Sequence, residues 1–128
     1  MAYQPLNNGA TANDGSGDSL RDAAGKINGN FEQLFSTRSV ATFTADSAAT
    51  NTHGIILADT STAAINISIP TAFDNSGKEF TVKKTAAANT VTLDPFSTQT
   101  IDGAATKVLS TQWESVTIIS DGANWIDV

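Results

Sequence analysis

The chain has 128 residues, the length of one ordinary domain, and its 13 acidic and 7 basic residues give a formal net charge of −6. An acidic chain without a Lys/Arg cluster lacks the electrostatic footprint of a nucleic-acid-binding protein, and it offers no basic amphipathic stretch to a membrane. Cysteine is absent, which excludes disulfides, thiolate metal sites and cysteine nucleophiles. Because no long apolar run or signal peptide is present, we expect a soluble protein made in the cytoplasm.

Residues 1–17 form a polar arm of low complexity, dominated by Asn, Ser, Thr, Ala and Gly. Such a stretch cannot bury enough apolar surface to offset the entropy lost on ordering, so the arm is predicted to be disordered on its own. If the arm is ordered, something must hold it, which favours an assembled protein.

A helix is predicted to follow the arm. Asp18 is placed as its N-cap, with Ser19 and Asp22 as an alternative capping pair. Apolar residues then recur at steps of three and four, which is typical of one helical stripe. We predict that this stripe anchors the protein and packs three copies about an axis, with Asn28 and Asn30 bonding across it. The proposed trimerisation and anchoring residues are Leu20, Ile27, Phe31, Leu34 and Phe35.

After the helix the apolar period changes to the alternation of β-strands. Turn signals such as Asp102-Gly103 and Asp121-Gly122 separate the candidate strands. Their short, regular spacing predicts a mainly β fold in which an arm and one α-helix (1–36) precede an antiparallel β-sandwich or barrel-like domain (37–128), with trimeric association. The predicted strands are 40–44, 54–58, 64–69, 79–84, 90–93, 107–110, 114–119 and 124–128.

The sequence nominates no catalytic centre, metal site or cofactor. The one histidine, His53, lacks a nucleophile motif and is interpreted as structural. The Gly15-Ser16-Gly17 run lacks the preceding strand of a phosphate-binding loop, and the acidic residues around it lack the glycine and glutamate of a calcium loop. In Lys83-Lys84, at a strand end, only one of the two side chains can face the core. We therefore expect a protein that is not an enzyme.

Two tryptophans, Trp113 and Trp125, flank the last hairpin and have two interpretations. They are core or cross-strand residues, or they contact a glycan or a partner by stacking, which requires exposed rings. The second alternative makes the chain a carbohydrate-binding host-recognition module, with Phe96 as a further platform.

A resemblance to a known family covers the arm and the helix. The segments NDGSGDSLRDA (13–23) and KINGNFEQLF (26–35) resemble an N-terminal motif common in structural proteins of tailed bacteriophages. That motif is a polar NDGTGD loop followed by an LR-A--KIN-NF-EL helix. More loosely, TIDG (100–103), WESV (113–116) and DGANW (121–125) resemble β modules of phage fibre and decoration proteins.

The resemblance implies a virion protein without catalytic activity, often trimeric, whose partners are a major capsid protein or a tail or baseplate protein. A typical fibre carries a long shaft and a receptor-binding tip, and this chain has room for neither. We therefore expect a head decoration (cement) protein. A short tail fibre, spike or adaptor protein is the alternative.

Overall fold

The computed structural model describes residues 4–11, 14–35 and 38–128, with the side chains of 33–35 excepted. The chain divides into two units, Met1–Thr37 and Arg38–Val128. The first unit contains helix α1, Leu20–Phe35, which begins where the apolar stripe begins. The predicted combination of one helix with a mainly β remainder is confirmed.

The second unit holds nine strands and a short 3-10 helix at Phe73–Asn75. The strands are β1 Val40–Phe43, β2 Ser47–Ala48, β3 Ile55–Ala58, β4 Ile65–Ile69, β5 Glu79–Lys84, β6 Val91–Pro95, β7 Lys107–Leu109, β8 Ser115–Ser120 and β9 Trp125–Asp127. Each of the eight predicted strands overlaps one of these, whereas β2 was not predicted.

The strands form two sheets, and the chain passes from one to the other. Sheet 1 has the order β1-β3-β5-β8-β9, and sheet 2 has the order β2-β4-β6-β7. Each of the strands β1 to β4 pairs in parallel with the strand two positions further along the chain. The successive pairs β1–β2, β3–β4 and β5–β6 therefore follow the connectivity of a parallel β-helix.

The predicted antiparallel pairing is wrong for the larger part of the unit. It holds only for β5–β8, β8–β9 and β6–β7, and the mixed sheets do not close into a barrel. The physical reason is the alternation between sheets. Consecutive strands up to β6 are not neighbours, so the short spacing between them does not reflect hairpins.

Alternation along the strands supplies the core. In β4 the residues Ile65, Ile67 and Ile69 are buried while the residues between them are exposed. Their partners on β6 are Val91, Leu93 and Pro95, so equivalent residues of these two neighbouring strands lie side by side on the buried face. Buried side chains from both sheets form one hydrophobic cluster, and each large aliphatic side chain contributes about 1.5–3 kcal/mol on burial.

Lys84 is the one of the two strand-end lysines that faces the core. It is fully buried, and its Nζ donates to the carbonyl of Ala86. Its neighbour on β3 is Ala58, a small side chain that leaves room for the long lysine stem.

Two tight turns close the C-terminal part of the second unit. Asp121 N donates to Asn124 O (3.1 Å) between β8 and β9, which confirms the hairpin predicted from Asp121-Gly122. Asp102 and Gly103 both have positive φ, and Ile101 and Ala104 exchange two backbone hydrogen bonds around them. This is the geometry of a two-residue turn whose central positions favour Asp-Gly.

The two edges of sheet 1 differ. The outer side of β9 is covered, because Trp125 N donates to Thr100 O (2.9 Å) and Asp102 N donates to Trp125 O (3.1 Å). At the opposite edge, β3 is the one strand neighbour of β1 among the described residues. No helix in the described part of the chain has the length and apolarity needed to cross a bilayer.

Candidate functional site: the arm and helix of the first unit

Ser19, the residue before helix α1, acts as its N-cap. Ser19 Oγ accepts a hydrogen bond from Asp22 N (3.2 Å) and donates to Asp22 Oδ2 (2.6 Å). The prediction that Asp18 is the cap is therefore wrong, and the alternative pair is the one formed. Asp18 has other partners, described below, that fix the arm.

The apolar stripe lies along one side of α1. Leu20 is 88% exposed, Ile27 40% and Phe31 54%, and their spacing of seven and four residues places them on one face. The side chains of Leu34 and Phe35, assigned to the same stripe from the sequence, lie outside the described residues. The structure thus places three of the five predicted anchoring residues together on an exposed helix face.

Asn7 and Asp18 fasten the arm to the start of the helix. Asp18 N donates to Asn7 O (2.8 Å), and Asn7 N donates to Asp18 Oδ2 (2.9 Å). Asp18 also forms an ion pair with Lys26, whose Nζ lies 2.8 Å from Oδ2. The hydrogen bond from Asn7 and the bond from Lys26 both lower the pKa of Asp18.

Asp14 organises the loop between the arm and the helix. Its Oδ2 accepts from the backbone N–H groups of Ala10 and Thr11 at 2.8 Å each. Its Oδ1 accepts from the backbone N and the hydroxyl of Ser16, also at 2.8 Å each. These bonds, the one from Ser16 N foremost, hold the pKa of Asp14 far below its usual value. Because both oxygens face donors, the carboxylate is not arranged to bind calcium.

The first part of the arm is held further along α1. Gln4 N donates to Asn30 Oδ1 and Asn30 Nδ2 donates to Gln4 O, both at 3.0 Å. One turn earlier, Lys26 Nζ reaches Pro5 O at 3.3 Å. The amide of Asn30, which was predicted to bond across a symmetry axis, thus bonds the backbone of its own arm.

Polar bonds thus hold the described part of the arm, residues 4–11 and 14–17, which was predicted to be disordered on its own. That prediction considered only how much apolar surface the arm can bury. It did not consider carboxylate and amide side chains that accept hydrogen bonds from backbone N–H groups. Asp14, Asp18 and Asn30 accept backbone N–H groups, and Lys26 donates to a backbone carbonyl. All four lie in the segments that resemble the phage motif. Sequence reasoning missed their role, although their place in the motif was the available signal.

His53, which the sequence analysis interpreted as structural, lies in the second unit. Its Nδ1 accepts a hydrogen bond from Thr50 N (2.9 Å), and its ring packs edge-on against Phe43 with centroids 5.3 Å apart. These contacts explain His53 by local structure. Among the described residues, no three His, Cys, Asp or Glu side chains are grouped to hold a metal ion.

The two tryptophans have opposite environments. Trp125 is fully buried and lies 5.4 Å from the ring of Phe80, so it has no surface to offer a glycan or a partner. The assignment of Trp125 as a contact residue is therefore wrong. Alternation on β9 turns Trp125 into the core. Trp113 is 58% exposed and lies outside any strand.

Trp113 occupies a β-bulge just before β8. Lys84 N donates to Glu114 O, and Trp113 N donates to Lys84 O, both at 2.9 Å, so two residues lie opposite one. The φ of Trp113 is +67°, a conformation that bulky residues rarely adopt. Glu114 N closes the turn by donating to Thr111 O at 3.1 Å.

No family model matches the chain, and no curated protein matches it.

Proposed function

We propose that this chain is a non-enzymatic structural protein of a bacteriophage particle, a homotrimeric head decoration (cement) protein. The arm and helix of the first unit attach it to the particle. The second unit, Arg38–Val128, is the displayed domain. Its two sheets share one set of buried side chains, which supports a sandwich-like packing of sheet 1 against sheet 2.

One observation carries the proposal. Four residues of the segments that resemble phage structural proteins bond the arm: Asp14 bonds within it, and Asp18, Lys26 and Asn30 fasten it to α1. Asp14 and Asn30 use their side chains to bond backbone atoms, so their identity fixes the path of the arm. A motif with that role specifies one attachment structure that different particle proteins can carry.

The exposed stripe of α1 supports the trimer. Leu20 and Ile27 leave a substantial apolar surface in water, and covering such a surface drives association. Three copies of the stripe about a threefold axis bury it symmetrically. Association of this kind also protects strand edges, such as that of β1, whose one strand neighbour among the described residues is β3.

The partner proposed for the arm is the major capsid protein, and the location is the virion, after synthesis in the host cytoplasm. The acidic net charge of −6 opposes direct binding to packaged nucleic acid. The alternative is a short tail fibre, spike or adaptor protein that uses the same segment to bind a tail or baseplate protein. The position of the protein on the particle distinguishes the two.

Deletion of residues 1–17 tests the proposal. We expect particles assembled with the truncated chain to lack it, whereas its circular dichroism spectrum keeps the β signal of the second unit. The matched control is the full-length variant Glu32→Ala, which should be incorporated normally. Glu32 is an exposed residue of α1 that lies away from the stripe. Normal incorporation of the truncated protein would contradict attachment through the arm.

A further inference from the structure

The bulge at Trp113 breaks a local rule of β structure. In a G1 bulge, the type formed here, the first residue adopts a left-handed conformation and is ordinarily glycine. Here a tryptophan adopts it, with a φ of +67°. Strain of this kind persists only where the surrounding structure enforces it, and such sites are enriched in functional positions.

The surroundings of Trp113 do enforce it. Glu114 Oε2 accepts from the backbone N–H groups of Ser110 and Thr111, at 2.8 and 2.9 Å. Lys83 Nζ donates to Trp113 O at 3.0 Å. Since Trp113 N donates to Lys84 O, both backbone polar groups of Trp113 are satisfied. The backbone of the turn is therefore held in place by hydrogen bonds, although the Trp113 side chain is not part of the core.

The result is an aromatic ring held out from the domain at 58% exposure. The indole lies outside the hydrophobic core, whose aromatic members include Trp125 and Phe80. It is not required by the turn, because glycine satisfies the same backbone conformation without strain. A contact with something outside the domain remains as the reason for a large flat ring at this position.

The chemistry around the ring indicates what that contact is. The residues beside it in the chain, Ser110–Gln112 and Ser115, are polar and exposed, so this turn presents hydrogen-bonding groups together with the ring. Gln112 Nε2 donates to Thr85 O (3.1 Å), which keeps the amide oxygen of Gln112 as an acceptor near the turn. Lys83 has three donors, one of which goes to Trp113 O.

An exposed aromatic ring on a turn that also carries hydrogen-bonding side chains fits a sugar. A pyranose has C–H faces that stack on an aromatic ring and hydroxyls at its rim that take hydrogen bonds. We propose that Trp113 is a carbohydrate-contact residue that stacks on a pyranose ring, with Gln112 and Lys83 bonding the hydroxyls. This inference is independent of the proposed attachment to a particle.

The two tryptophans permit a direct test by fluorine NMR. Full-length chain labelled with 5-fluorotryptophan gives one resonance for each of the 2 tryptophans. The probes are the methyl glycosides of glucose, galactose, mannose and N-acetylglucosamine, each titrated to about 10 mM, which detects dissociation constants of about 1 mM. We expect at least one of them to shift the Trp113 resonance saturably while the buried Trp125 resonance stays in place. If none shifts it, the proposal fails.

Trp113→Gly separates contact from structure. Because glycine prefers the left-handed conformation, the melting temperature of this variant should equal or exceed that of the original chain. Saturation-transfer signals from the bound sugar should disappear. The matched control is Phe96→Ala, which removes another ring exposed at 59% and should keep sugar binding.

Three further outcomes would overturn the proposal. A clearly lower melting temperature for Trp113→Gly would make the indole a structural residue. Undiminished sugar binding by that variant would place the sugar elsewhere. Loss of particle attachment in Trp113→Gly, with no sugar binding by the original chain, would identify the ring as a protein contact instead.

Discussion

The stripe of α1 makes a quantitative prediction for Leu20→Ser. Leu20 is 88% exposed in the single chain, and burial of a whole leucine side chain contributes about 1.5–3 kcal/mol. Covering it in a trimer therefore contributes about 2 kcal/mol per chain, or about 6 kcal/mol for three copies. Since each 1.4 kcal/mol is tenfold, Leu20→Ser should weaken the trimer association constant by about four orders of magnitude.

Sedimentation equilibrium over a range of protein concentrations measures this effect. We expect the original chain to sediment as a trimer and Leu20→Ser to shift towards monomer at the same concentration. Glu32→Ala, on another face of α1, is the control and should remain trimeric. The reasoning is refuted if the original chain is monomeric at micromolar concentration, or if Leu20→Ser associates as strongly as the control.

Two other predictions concern the turn at Gly103 and the carboxylates of the arm. Gly103→Ala should destabilise the second unit by about 1–2 kcal/mol and lower its melting temperature by several degrees. The cause is backbone strain, because the φ of Gly103 is +81° and the added methyl group meets no neighbouring atom. Gly25→Ala, also surrounded by open space but helical, should cause no such loss; equal melting temperatures for the two variants would contradict the strain argument. The pKa values of Asp14 and Asp18 are lowered in the folded chain, so the stability they contribute is present above their ordinary value of 3.8 and is lost as the pH falls below it. NMR shifts of the Asn7 and Thr11 amides should therefore move towards unfolded values on acidification below about 3.8, and Asp14→Ala should show the released arm already at neutral pH; an arm unchanged at low pH would refute this assignment.

Much of the local structure could be predicted from the sequence because periodicity reports it directly. The stripe starting at Leu20 located the helix, and alternation located β4 and β5 within a residue or so of their bounds. Strand β2 could not be found this way. Its two residues, Ser47 and Ala48, are too few and too weakly apolar for an alternating pattern.

The pairing of strands could not be predicted, since alternation shows which face of a strand is buried but not which strand lies beside it. β1 and β3 pair in parallel because β2 takes the chain into the other sheet between them. The environments of the two tryptophan rings could not be predicted from the sequence either. Trp125 follows the alternation of β9 into the core, whereas Trp113 is placed by a bulge that depends on Lys84, distant in sequence.

In the first unit, the apolar stripe was visible and the polar fastening was not. Helical spacing identifies Leu20 and Ile27 without knowledge of the arm. The pairing of Asn30 with Gln4 joins residues 26 apart in sequence, and no periodicity links them. Composition alone therefore described the arm as disordered, although its hydrogen bonds are specific.

Electron microscopy of purified phage particles, with an antibody against the second unit, tests the central claim most directly. The proposed function predicts label over the head surface, at sites around threefold or quasi-threefold positions of the capsid. Label confined to the tail would contradict a decoration role and support the alternative. Particles without label, from a phage that produces the chain, would contradict the assignment to the virion itself.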